Sequence, residues 1–272
     1  MGLSSNFVAD LTELKKRAAL DGISSVIEIG AQQLSNALLR SKEATDDLFR
    51  LYNRLSQALG SPNFQGAING LEHQPDDAPA SRLFWESLGF TYSALDFDGH
   101  RDSIAIDLNR DFVPRRLRGS FDLAVNTGTT EHVANQDNAF RVIHDLVRPG
   151  GIMMHDLPAQ GMMTHGLINY NPKFFWHLCR ENRYEVLFLK VCSHPLNPVP
   201  ANVLDSNIQF SGHQHISIES IPDFTIRAAL RKTSNHPFVT PLDIPPITKT
   251  TQTPSLQGSL KTLWNAMNHS VQ

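Results

Sequence analysis

One stretch, Val26-Ile27-Glu28-Ile29-Gly30-Ala31-Gln32-Gln33, constrains the fold more than any other. A short apolar run ends in an acid, a glycine, then small and polar residues. That is how a buried parallel strand hands over to a loop and helix at a ligand site. Val26, Ile27 and Ile29 suit a central strand covered on both faces. Glu28 interrupts them, and a carboxylate in that position is costly unless something pairs with it. Gly30 lacks a Cβ, so the backbone can turn sharply and a ligand can approach closely.

The rest of the chain alternates strands and helices. Helical periodicity at 9–20 precedes a strand at 24–29. The next strand is at 90–97, so the connection is long: it holds a helix near 44–59, a Gly/Pro/Asp-rich loop at 60–79 and a second helix at 81–88. One helix suffices for a crossover, so the region 41–89 reads as a helical insertion, either a lid or outer packing. Strands follow at 104–106, 121–126, 152–155, 184–191 and 224–231, with helices at 135–147 and 172–180. Arg148-Pro149-Gly150-Gly151 is expected to end the first of these helices. This pattern predicts an α/β fold with a doubly wound, mostly parallel sheet and helices on both faces, spanning 1–232. The remainder, 233–272, is a Pro/Thr-rich tail with one short helix near 256–267.

Composition narrows the function. The net charge of -3 argues against a nucleic-acid binder that works by neutralising phosphates. The cluster Arg110, Arg115, Arg116, Arg118 reads as a solvated loop. Cys179 and Cys192 form no Cys-x-x-Cys, and no metal site is expected; the pair His213 and His215 has no third ligand nearby in sequence. No apolar run is long enough to cross a membrane, and the expected setting is the cytoplasm. The P-loop lysine and the Gly-x-Ser-x-Gly elbow are both missing.

In open α/β sheets, ligands bind beyond the carboxyl ends of the strands. Those ends carry Glu28-Ile29-Gly30, Asp96-Phe97-Asp98, Asp107-Leu108-Asn109 and Asn126-Thr127-Gly128. A carboxylate ending the second strand suits ribose hydroxyls, and an acid or amide after the third suits an adenine amino group. Turn-forming preference explains any one of these residues, but not a series repeated in strand order.

From about residue 24 to 231 the sequence resembles the class I S-adenosylmethionine-dependent methyltransferases. Glu28-Ile29-Gly30 matches the start of that family's Glu/Asp-x-Gly-x-Gly-x-Gly loop. Glu131-His132-Val133 and Leu146-Val147-Arg148-Pro149-Gly150-Gly151 resemble its segments after the fourth strand and before the fifth. The resemblance implies S-adenosyl-L-methionine as cofactor, with Asp96 (or Asp98) on the ribose, Asp107 on the adenine and Leu108 beside the ring. Glu28, Gly30, Gln32, Phe97, Asn126 and Thr127 complete the implied cofactor contacts. Gln32 and Leu34 depart from the pattern, standing where the second and third glycines would be.

The implied activity is methyl transfer to an oxygen or nitrogen of a small polar acceptor, such as a sugar held through Asn169 and Tyr170. A proton-accepting histidine suits that chemistry, and His165, His155 and His132 all follow strand ends. Each also has a structural reading, as a capping or packing residue. The alternative function is a non-catalytic Rossmann-like module that binds a protein partner, favoured by the missing loop glycines.

Overall fold

A computed structural model describes residues 2–35, 38, 42–52, 81–99, 103–162, 165–193 and 222–244. The loop 60–79, His213 and His215, and the tail helix near 256–267 lie outside the described residues. Helices are α1 (Ser5–Lys16), α2 (Lys42–Leu51), α3 (Arg82–Ser87), α4 (Gln136–Leu146) and α5 (Pro172–Asn182). Strands are β1 (Ser25–Ile29), β2 (Thr91–Asp96), β3 (Ile104–Ala105), β4 (Phe121–Thr127), β5 (Val147–Gln160), β6 (Glu185–Ser193) and β7 (Phe224–Arg231).

The strands form one seven-stranded sheet in the order β3-β2-β1-β4-β5-β7-β6. All neighbours from β3 to β5 pair in parallel, and β7 runs antiparallel to both β5 and β6. The strand order reverses at β1, which lies between β2 and β4, so a crevice opens beyond the β1 and β4 carboxyl ends.

Side-chain alternation divides the core into two layers. Ile27 and Ile29 pack on one face with Phe140, Ile143, Phe175 and Leu178 of α4 and α5. Val26 packs on the other with Phe7, Leu11 and Leu14 of α1 and Phe84 and Trp85 of α3. Ser4 caps α1, its hydroxyl accepting from Phe7 N at 3.2 Å, so this helix begins four residues before the periodicity alone suggests.

Asp122 ties the amino-terminal edge of the sheet together. Its carboxylate accepts from Ser24 N (2.8 Å), Ser25 N (2.9 Å) and the Arg148 guanidinium. Burial pushes the carboxyl up, but these donors outweigh it and hold it down at about 2. A depressed acid contributes stability above its unfolded value and loses it as pH falls through the folded one. Asp122→Asn is therefore expected to cost about 1–2 kcal/mol at pH 7, with the difference from wild type shrinking between about pH 4 and pH 2. Urea melts across that range check it; a pH-independent difference would mean that hydrogen bonding, not charge, carries the effect.

Candidate functional site

The β1 carboxyl end is built around Glu28. Its side chain is fully buried and accepts from Ser81 Oγ (2.6 Å), Trp85 Nε1 (2.7 Å), Tyr92 OH (2.9 Å) and Gln32 N (3.1 Å). Burial drives its carboxyl up and the four donors pull it back, with burial dominant. All of these donors belong to the protein. Glu28 is thus the anchor of the loop rather than a lining residue of the cavity, which corrects its expected role as a cofactor contact.

The missing glycines are replaced by side-chain bonds. Gln32 turns back over the loop: its Nε2 donates to Ile29 O (3.3 Å) and Thr129 Oγ1 (3.0 Å), and its carbonyl accepts from Ser81 N (3.1 Å). Thr129 Oγ1 in turn donates to Ile29 O at 2.5 Å. Leu34 is buried and bridges in parallel to Leu3, so the chain's first residues brace the loop from outside. Gly30 is the one position where the turn requires glycine. Its φ is +81°, and a methyl group there would come within 2.4 Å of Thr129 Oγ1.

Beyond this loop lies a cavity of about 430 Å³ lined by the ends of β1 to β4. Gly30, Ala31, Gln32, Asp96, Phe97, Asp107, Leu108, Gly128, Thr129 and His132 face it. Asp96 is fixed by backbone donors, Ala31 N on Oδ2 (2.9 Å) and Phe97 N on Oδ1 (2.7 Å). Each oxygen of such a carboxylate retains a lone pair for a further donor. Asp107 Oδ1 accepts from Asn109 N at 2.8 Å, and Ile106, Leu108 and Val133 supply apolar wall.

Several expected contacts sit elsewhere. Asn126 and Thr127 are buried behind the wall and do not line the cavity. Asn126 Nδ2 donates to Thr130 Oγ1 (2.9 Å) and faces His155 Nδ1 at 3.2 Å. His155 is only 3% exposed, and its ring packs against Phe140 and Phe175 at 5.5 and 5.4 Å. Burial lowers its pKa to about 3, so it is a neutral core residue, correcting its place among the catalytic histidines. Asn169 donates to Gly161 O, and the Tyr170 hydroxyl lies against Thr130 and Gln136; both are occupied within the protein.

His132 and His165 do come together. Their ring centroids are 5.1 Å apart, and their Nε2 atoms lie 3.8 and 3.3 Å from Glu131 Oε1. His132 also lines the cavity. Glu131 is fully buried, and burial pushes its carboxyl up and the His165 imidazole down. The loop bearing His165 is fastened to it: Leu167 N and Ile168 N both donate to Glu131 O, at 2.8 and 3.1 Å. In the sequence Glu131 stands out only as part of a motif, and Thr129, Ser81, Trp85 and Tyr92 carry no signal of a role at the site.

The model of a methyltransferase domain family matches residues 41–205, more than half of the chain. A putative methyltransferase of Bacillus halodurans is 12% identical, over 83% of this chain and 100% of its own, with a TM-score of 0.43. The 1,6-didemethyltoxoflavin-N1-methyltransferase of Burkholderia thailandensis, solved with 1,6-didemethyltoxoflavin and S-adenosylhomocysteine, is 10% identical over 82% of this chain and 78% of its own, with a TM-score of 0.40. No curated protein matches the sequence. Among the described residues no helix is long and apolar enough to cross a membrane. Family match and sheet order together place the chain in the class I S-adenosylmethionine-dependent methyltransferases.

Proposed function

We propose that the cavity at the β1–β4 ends holds S-adenosylmethionine and that the chain moves its methyl group to an oxygen or nitrogen of a small polar acceptor. The observation that carries this is Asp96: a carboxylate at the end of the second strand, both oxygens oriented by backbone N–H groups, on the wall of a cavity of about 430 Å³. That arrangement fits two neighbouring ribose hydroxyls. Asp107, with Leu108 and Ile106 beside it, fits an adenine edge and face. Gly30 leaves the loop backbone open where a side chain would close it.

The bound cofactor supplies a methyl group already activated on a sulfonium. The protein's part is to hold the two reactants in line and to exclude water. Loss of the acceptor proton is handled at the Glu131–His132–His165 cluster, because His132 faces both that cluster and the cavity. The buried anchors Glu28 and Gln32 keep the loop in shape without the usual glycines, which removes the main support for a non-catalytic module.

Asp96→Ala is expected to weaken S-adenosylhomocysteine binding by about 1.5–3 kcal/mol, the range for hydrogen bonds to a charged group. Calorimetric titration measures it. Unchanged affinity in a folded variant would move the ribose contact to Asp98 or remove the cofactor from this cavity.

A further inference from the structure

From the convergence of two imidazoles on one buried carboxylate, we infer that Glu131, His132 and His165 form a binding site for a first-row divalent transition-metal ion. One ligand atom from each residue can be chosen so that all three lie within 4.8 Å of one another. Glu131 Oε1 stands 3.3 Å from His165 Nε2 and 3.8 Å from His132 Nε2. Ligands bound at about 2.1 Å to a common ion lie roughly 3.0–3.5 Å apart at the angles usual for these metals. A small inward shift of the half-exposed His132 ring completes the set.

A second observation points the same way. Glu131 is fully buried, and its Oε2 has no hydrogen-bond partner. Among the described residues, only the two imidazoles come within ion-pair distance of it. A buried carboxylate left in that condition is costly, and a bound cation removes the cost. The site is also pre-arranged. His165 is held close by the backbone bonds from Leu167 and Ile168 to Glu131 O, and a methyl group on Gly166 would come within 2.8 Å of Glu131 Cγ. That close approach needs glycine.

Two nitrogens and one oxygen select a transition ion over magnesium or calcium, which prefer oxygen ligands throughout. Three protein ligands leave positions open. The site faces the cavity through the half-exposed His132, so an acceptor hydroxyl can occupy one of them and give up its proton to solvent water more readily there, the oxygen lone pair then taking the methyl group. This role in the reaction rests on the proposed acceptor position; the metal site itself does not.

Co²⁺ tests the proposal, because its visible absorption reports ligand number and type. Metal-stripped wild-type chain is expected to bind one equivalent with a spectrum of mixed nitrogen and oxygen ligation. Glu131→Gln and His165→Ala should each weaken that binding at least tenfold, and the double variant His213→Ala/His215→Ala should leave it unchanged. S-adenosylhomocysteine affinity, measured on every variant, confirms that each is folded; His165 is partly exposed, so its variant is informative even if Glu131→Gln misfolds. Equal Co²⁺ binding by wild type and His165→Ala, loss of binding only in the His213/His215 double variant, or no Co²⁺ bound by a wild type that binds S-adenosylhomocysteine would each overturn the metal site. Failure of the wild type to bind S-adenosylhomocysteine, with Co²⁺ bound as expected, would instead count against the proposed cofactor cavity.

Discussion

Glu28→Ala will cost several kcal/mol of folding stability, since leaving a buried donor unsatisfied costs about 1–3 kcal/mol and more than one is left so. The substitution strands the donors of Ser81, Trp85, Tyr92 and Gln32, which now converge on one carboxylate. Trp85 is fully buried and its indole N–H has no freedom to find water, so its loss is the least recoverable. Glu28→Gln keeps the shape and one acceptor oxygen, and is expected to cost less than half as much. The loop should loosen as well, because Gln32 N is one of the donors and Ala31 N, its neighbour, orients Asp96. Urea unfolding and S-adenosylhomocysteine titration of both variants measure the two effects. Wild-type stability in Glu28→Ala would show that the network is satisfied some other way and that Glu28 is not the anchor.

The second large effect concerns the acceptor. His132→Ala and His165→Ala are each expected to lower turnover about 10²–10⁴-fold, the usual worth of a group that manages a proton in the transition state. Cofactor affinity should change little, because the residues proposed to hold adenosine, Asp96, Asp107 and Leu108, are others. Release of S-adenosylhomocysteine from S-adenosylmethionine, with a panel of small alcohols and amines, provides the rate; calorimetry provides the affinity. Full turnover in both variants would place the acceptor away from Glu131. A parallel loss of cofactor affinity would mean that His132 acts on the cofactor side.

Why these residues and not the others were readable follows from what a strand end reveals. Position in the chain tells which residues reach the carboxyl edge of the sheet, and Gly30, Asp96, Phe97, Asp107 and Leu108 reach the cavity accordingly. It does not tell which way a side chain faces once the strand has ended, because a one-residue change reverses it. Asn126 and His155 are register partners on neighbouring strands and turn together into the core; Asn126 stands near the end of β4, but β5 runs on to Gln160, so His155 lies inside its strand. Glu28 looked like a ligand for the same reason. Besides the nearby Gln32 N, the donors that satisfy it are Ser81 just before α3, Trp85 in α3 and Tyr92 in β2, all more than fifty positions away, and no local pattern announces them.

The fold was more legible than the site, since central strands buried on both faces leave apolar runs in the sequence. Two features escaped. β5 runs from Val147 to Gln160, through Arg148-Pro149-Gly150-Gly151, which reads as a stop. A register shift opposite Phe121 and Leu123 lets the proline and glycines sit at the start of the strand, where missing ladder bonds cost little. β7 enters the sheet antiparallel, between β5 and β6. Its run of mostly buried residues would look the same in either direction, so the reversal is a property of the tertiary path alone.

We propose the cavity beyond β1 to β4 as the S-adenosylmethionine site despite a first loop with a single glycine of the usual three. Calorimetric titration of the wild-type chain with S-adenosylhomocysteine tests it most directly, alongside Gly30→Leu, which places a side chain where a methyl group already meets Thr129. Saturable binding at one site is expected in the wild type, and none in a folded Gly30→Leu chain. No heat of binding in the wild type, or equal binding in both, would contradict it.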